Sequence, residues 1–288
     1  MNGAVIKGLA RRAIRSALQY DVVWEYLPTR ARTEFVQVQR RAALESSFHA
    51  KCGLTFGKYE VSGGPFAGMK YPEAIAVGSA LYPKLIGSYE SELHEPMEIL
   101  LTATYPLIID IGFAEGYYLI GIGRRLTESR LIGFDINPAA HRQCQKLARV
   151  NGINPKRLDL RSCCPSDELL TMLPLRSLVV CDCESCEAKL FRSELIPLWA
   201  KSDLLIECHD FLISGVTEAI LASLARSHSV RIIGTQSTES KLHFLRNKQY
   251  KQFRLEEKLR LLCEGRPAPQ AWIIATAKAT VSKTAAGE

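Results

Sequence analysis

The chemistry in this sequence concentrates at the ends of apolar runs. In LIIDIGFAEGYYLIGIGRRL, which begins at Leu107, such a run ends on Asp110 and turns through Gly112, Ala114 and Gly116 into a stretch of helical character. A strand, tight turn and helix in that order hold a nucleotide-containing ligand, because backbone N–H groups at the helix N-terminus face it. A dinucleotide turn reads G-x-G-x-x-G, but here Tyr117 stands where the third glycine would fall. Asp110, beside the turn, would repel a pyrophosphate and attract an ammonium or sulfonium group. The next apolar run closes on Asp135, nineteen residues after Gly116, where a carboxylate meets ribose hydroxyls. S-adenosylmethionine satisfies both demands.

A second constellation follows two later runs. VVCDCESCEAKLF carries Asp182, Glu184 and Glu187, and LLIECHD carries Glu207, His209 and Asp210. A histidine flanked by acids can remove a proton from a poor nucleophile, and the carboxylates stabilise the imidazolium that forms. Asp182 and Asp210 holding a divalent ion, which would lower the pKa of an acceptor hydroxyl, is the less favoured alternative; a structural hydrogen-bond network is the third. Cys183-x-x-Cys186 lacks a second pair at zinc-site spacing, so the two read as small buried thiols. Cys163, just beyond another run, either lies near an adenine or packs in the core. The expected catalytic set is His209, Asp182, Glu184 and Asp210, and the expected cofactor set is Asp110, Gly112, Ala114, Gly116, Asp135 and Cys163.

These residues need a frame that brings the ends of their runs together. LIIDI, LIGFD, LDLRS, LVVCD and LLIECHD alternate with helical stretches such as PAAHRQCQKLARVNG and GVTEAILASLARSH. That is the rhythm of a doubly wound parallel sheet, whose strand ends line a ligand crevice. Asn137 suits an N-cap, Pro138 the first turn and Gly152 a stop, which predicts a helix over 138–151. VRIIGTQ and AWIIATAK add two strands around a basic insert over 236–270, making seven. Residues 52–105 form a lead-in unit: CGLTFGKYEVSGGPFAGMKYPE suggests short strands or a hairpin, and Ser88 or Ser91 could cap a following helix, with Tyr89 and Glu90 bordering the pocket. The expected organisation is a basic helical segment over 1–51, the lead-in unit over 52–105, the cofactor domain over 106–278 and a flexible tail over 279–288.

Charge bounds the partners. Residues 1–60 carry ten Lys or Arg against five acids and residues 241–266 carry eight against three, while the segment between is slightly acidic, so the catalytic body is not a basic nucleic-acid platform. Lys7, Arg11 and Arg15 share one helical face, and Ile6, Leu9, Ala13 and Ala17 share another. Three readings stand for that helix: packing with a solvated basic face, weak membrane-surface contact through residues 1–19, or a transit peptide. No long apolar run or secretory signal is present, and nine scattered cysteines suit reduced thiols, so a cytoplasmic location is expected.

From Asp110 to Gly116 the sequence resembles class I S-adenosylmethionine-dependent methyltransferases, whose first motif is an acid followed by Gly-x-Gly-x-Gly, here with Ala114 in the middle place. The resemblance spans residues 107–277. The stretch holding Asp182, Glu184 and Glu187 looks like the D-x-E-G-x-E of FkbM-like methyltransferases, with Ser185 in the place of Gly. The resemblance implies a seven-stranded Rossmann-like methyltransferase sheet with an N-terminal helical/β extension. It also implies O-methylation of a small molecule or glycan precursor. Enzymes that methylate exocyclic base amines carry Asn or Asp before Pro-Pro-Tyr or Phe, which is lacking here, and Cys164-Pro165 reverses the order of a cytosine C5 nucleophile. Two alternatives stay open: action on RNA or protein through the basic termini, and an inactive cofactor-binding partner subunit.

Overall fold

The computed structural model describes residues 29–163, 176–184 and 186–278, with side chains from residue 36 onward. The basic helix expected within residues 1–19 and the tail over 279–288 lie outside the described residues. The chain divides into two compact units, Met1–Thr55 and Phe56–Glu288. The described part of the first is helix α1, Thr29–Phe56, whose last residue opens the second unit. Helix thus occupies Cys52–Phe56, where the sequence suggested strand. Ala and charged residues precede this segment, and a helix already formed propagates at less cost than a new element nucleates.

In the second unit the lead-in segment holds little regular structure beyond a single antiparallel bridge, Glu60 to Lys70. Helix α2 (Leu81–Ile86) stops at Gly87, whose φ of 80° is left-handed; a Cβ there would lie 2.4 Å from the Gly63 carbonyl oxygen. Helix α3 (His94–Leu100) follows a 3-10 turn over Ser91–Leu93. Neither Ser88 nor Ser91 caps it. The turn runs directly into α3, so Ser88 Oγ instead donates to the Pro83 carbonyl, and Ser91 Oγ bonds to Gln236.

The sheet holds β1 (Leu107–Ile111), β2 (Arg130–Phe134), β3 (Leu158–Arg161), β4 (Ser177–Cys181), β5 (Asp203–Cys208), β6 (His228–Gly234) and β7 (Ala271–Ala277). Between them lie α4 (Tyr117–Arg125), α5 (Pro138–Val150), α6 (Glu187–Leu190), α7 (Ile196–Trp199), α8 (Val216–Leu224) and α9 (Leu255–Leu262). The strand order is β3-β2-β1-β4-β5-β7-β6. The first five strands pair in parallel, but β7 runs antiparallel to both β5 and β6, which corrects the expectation of a wholly parallel sheet. The cause is the connection: residues 235–270 return the chain on the same side, and β7 slots between its neighbours. β1, β4 and β5 are buried at every position, as strands covered on both faces must be. On one face, Ile109, Val179, Leu204 and Ile206 form one core with Phe191 and Trp199, and the Trp199 indole donates to the Leu190 carbonyl at 2.9 Å. Asn137 accepts from the Ala139 N–H at 2.9 Å and Gly152 has φ 69°, the start and stop expected for α5. Among the described residues no helix is long and apolar enough to cross a membrane.

Candidate functional site

Chain order reverses between β1 and β4, and a cavity of about 800 Å³ opens at the carboxyl ends of the strands there. One wall is the glycine turn. Gly112 has φ 87°, and a Cβ on it would lie 1.7 Å from the Asp182 carbonyl oxygen, so glycine is required both for the turn and for the close approach of β4's end. Gly116 has φ 96°, and its Cβ would meet Cys144 Sγ at 2.7 Å. Ala114 holds φ 49°, a left-handed conformation unusual for a residue with a side chain.

Two carboxylates border this turn. Asp110 is buried, and its Oδ2 has no hydrogen-bond partner among the described residues. Burial pushes its pKa up to about 7. Asp135 Oδ2 accepts from Ala114 N at 2.9 Å and Oδ1 from Asn137 N at 2.7 Å, which ties the end of β2 to the turn. Cys163 is exposed and lines the same cavity, on the side of β3. Of the six residues expected to hold a cofactor, Asp110, Gly112, Ala114, Asp135 and Cys163 line one space, whereas Gly116 lies behind it at the start of α4.

Sequence reasoning passed over Glu115 and Lys84. Glu115 is buried and accepts from Tyr71 Oη at 3.0 Å, Val77 N at 3.0 Å and Lys84 Nζ at 2.5 Å. Lys84 in turn lies 4.7 Å from the centre of the Tyr89 ring and 5.0 Å from that of Tyr117. This buried pair fastens the lead-in segment to the glycine turn. An acid in a variable slot of the motif, and one lysine among many, carried no local signal of it.

Asp182, Glu184 and Glu207 line the opposite wall, and the buried His209 lies behind them. Its Nδ1 meets Glu187 Oε1 at 2.9 Å, and the same oxygen accepts from Cys183 N at 3.2 Å. Nε2 faces Asp182 Oδ1 at 3.5 Å, Glu207 Oε2 at 3.6 Å and Glu184 Oε2 at 3.7 Å. Neither Nε2 nor Asp182 Oδ1 has a hydrogen-bond partner among the described residues. Burial alone would lower the His209 pKa, but the bond and charge of Glu187, with Glu207 and Glu184, outweigh it and raise it. Burial, then Glu207, pushes Asp182 well above the carboxylate range. Asp210 stands apart from this ring: its carboxylate accepts from the Thr217 hydroxyl and, at 3.3 Å, from Thr217 N at the start of α8. Three donors, Asp182, Glu207 and His209, lie within 4.8 Å of one another, a set that could take a divalent cation. Glu207 therefore stands where the sequence suggested Asp210.

The basic insert reaches into this end of the cavity. Arg266 pairs with Glu207, with Glu90 at 2.6 Å and with Glu264 at 3.1 Å, and Tyr118 bonds to the other Glu90 oxygen. Lys241, also from the insert, pairs with Glu264 and with Glu92 at 3.2 Å. Burial and the nearby Glu207 charge raise the Glu90 pKa to about 8 despite Arg266. Tyr89 lines the cavity as expected, whereas Glu90 is buried beside it, and its partner Arg266 lies 176 residues away, beyond the reach of any sequence pattern.

Cys183 and Cys186 form a disulfide, with Cα atoms 5.6 Å apart, which overturns their reading as reduced thiols. The turn between β4 and α6 brings them together, a proximity that C-x-x-C spacing permits without requiring. Cys164 lies outside the described residues.

No protein-family model matches the chain, and no curated protein matches it. Among solved structures, the O-methyltransferase TomG from Streptomyces achromogenes is similar over 66% of this chain and 81% of its own, with 13% identity and a TM-score of 0.43. An O-methyltransferase from Bacillus cereus covers 62% and 78%, with 12% identity and a TM-score of 0.42. Geranyl diphosphate C-methyltransferase from Streptomyces coelicolor covers 67% and 81%, with 14% identity and a TM-score of 0.39. Likenesses this distant carry no chemistry from those proteins to this chain.

Proposed function

We propose that this chain is an S-adenosylmethionine-dependent methyltransferase acting on a hydroxyl oxygen of a small molecule or glycan precursor, akin to the FkbM-like enzymes. One observation carries the reading: a single cavity has Asp110, whose Oδ2 has no partner among the described residues, and Asp135 on one wall, and Asp182 and Glu207 on the other, with the buried His209 Nε2 3.5 and 3.6 Å behind those two acids. The donor chemistry fits the cofactor. A buried carboxylate oxygen without a partner suits a cationic group, and the positive-φ turn brings bare backbone to the ligand. Asp110, the turn from Gly112 to Gly116, Asp135 and Cys163 would hold S-adenosylmethionine, which supplies an electrophilic methyl group.

The protein's own part is to position the acceptor and move one proton. His209 Nε2 takes the hydroxyl proton as the oxygen becomes methylated. Glu187 holds Nδ1–H, fixing the ring's tautomer and stabilising the imidazolium. Glu207 and Glu184 add favourable charge on the same side. The clustering of Asp182, Glu207 and His209 also favours a second reading, in which these three hold a divalent ion that acidifies the hydroxyl. Docking of RNA on the insert is less well supported, since Arg266 and Lys241 are already committed to buried ion pairs.

The test combines calorimetry with a product search. S-adenosylhomocysteine should bind and NAD should not. Incubating the protein with cell extract and methyl-labelled cofactor should yield a labelled small molecule by mass spectrometry. Preference for NAD would overturn the assignment, and label appearing only in RNA or protein would replace the acceptor class. Tight cofactor binding with no labelled product in any fraction would favour an inactive partner subunit.

A further inference from the structure

The Cys183–Cys186 disulfide takes no part in the mechanism above, yet it lies in the wall of the same cavity. It closes a ring over residues 183–186, immediately after Asp182 and immediately before Glu187. Inside that ring Glu184 adopts φ 52°, a left-handed conformation that a side chain ordinarily resists. The ring also carries the Cys183 N–H, which donates to the Glu187 oxygen that orients His209. Both cysteines line the cavity and pack against the core. A third sulfur, Cys181 Sγ, lies 3.6 Å from Cys183 Sγ.

We propose that this disulfide is a reversible thiol–disulfide exchange site, reached by small dithiols through the cavity, whose reduction loosens the acceptor wall. The inference that turnover responds rests on the methyl-transfer reading; the exchange itself does not. A dithiol's thiolate attacks one protein sulfur, breaking the S–S bond and forming a mixed disulfide. The dithiol's second sulfur then displaces the protein sulfur. The dithiol is oxidised to a cyclic disulfide, and the protein gains two thiols. Released from the ring, Glu184 relaxes from its left-handed backbone, and the Cys183–Glu187 bond loses its fixed geometry. His209 then loses its orientation while the glycine turn keeps its own.

The experiment uses the full-length protein purified without reductant. Denaturation with an alkylating agent should leave Cys183 and Cys186 linked and unalkylated in the peptide mass spectrum. Native treatment with dithiothreitol should convert both to alkylatable thiols and accelerate amide hydrogen exchange across residues 182–190. Bound S-adenosylhomocysteine should slow that conversion by filling the cavity. Reduction should lower methyl transfer by about tenfold or more, as misplacement of a catalytic group does, while S-adenosylhomocysteine affinity changes by less than about twofold. Diamide should restore activity, and Cys186→Ser should match the reduced protein and ignore reductant. Alkylation of the pair without reductant, resistance to native reduction, or unchanged hydrogen exchange after reduction would each overturn the proposal. Absence of S-adenosylhomocysteine binding in both redox states would instead strike the cofactor reading, leaving the alkylation and exchange results to decide this one.

Discussion

Replacing Asp110 by Asn tests the cofactor wall through its dependence on pH. Asp110 is buried, with Oδ2 lacking a partner, and burial raises its pKa from 3.8 to about 7. Because the folded value lies above the unfolded one, the protonated form stabilises the fold, and that contribution fades as pH rises from about 4 to above 7. At 1.36 kcal/mol per unit, the cost of ionising the folded protein reaches about 4 kcal/mol at pH 8. A cationic ligand needs the ionised form. With a pKa near 7, the ionised fraction rises about tenfold between pH 6 and pH 8, so the apparent Kd for S-adenosylmethionine should fall about tenfold over that range. Calorimetry at pH 6, 7 and 8 reads this directly. Asp110→Asn should bind more weakly and show little of the trend. It should also melt higher than wild type at pH 8, with the gap narrowing toward pH 4. A flat affinity profile in wild type, or the same slope in the variant, would refute the role given to Asp110.

Other side chains make separate claims. Asp135→Ala should weaken S-adenosylhomocysteine binding by roughly 1.5–3 kcal/mol, since it removes a charged acceptor of ribose hydroxyls and also frees the Ala114 N–H; calorimetry checks it. His209→Ala should lower turnover by roughly 10²–10⁴ with cofactor affinity little changed, and chelator should leave wild type active. Wild-type turnover should rise with pH past the raised His209 pKa, because only the neutral ring accepts a proton. If Asp182, Glu207 and His209 hold a metal, chelation should silence the enzyme and Mg²⁺ restore it. Full activity in His209→Ala with no chelator effect would eliminate both routes. Arg266→Leu leaves Glu90 and Glu207 without their cation and should cost roughly 3–5 kcal/mol in denaturant unfolding at pH 8. That loss should shrink toward pH 6 as Glu90 takes up its proton, and a pH-independent loss would show that packing dominates.

Much of this frame was legible because its signals are local. Buried parallel strands must be apolar runs, so β1, β2, β4 and β5 stand out in the sequence. A helix start such as Asn137-Pro138 is written in adjacent residues, since the cap and the backbone it bonds lie within one turn. The glycine turn is legible for the same reason: left-handed backbone at Gly112 and Gly116 admits few residue types. A sheet that ends its strands on Asp110, Asp135, Asp182 and Glu207 must then place those acids around one crevice.

Only the tertiary structure decided which partners those groups found. His209 could have leaned on Asp210, its neighbour in the chain, but the turn into α8 gives Asp210 to Thr217, and α6 brings Glu187 to the ring instead. The direction of β7, the Glu115–Lys84 pair, the Arg266 clasp on Glu90 and the Cys183–Cys186 bond were likewise not readable in advance. Each depends on where two distant backbones come to rest, and burial then makes each pairing strong by excluding water. A one-dimensional pattern records which side chains want a partner or a core, whereas the choice among possible partners is made by packing.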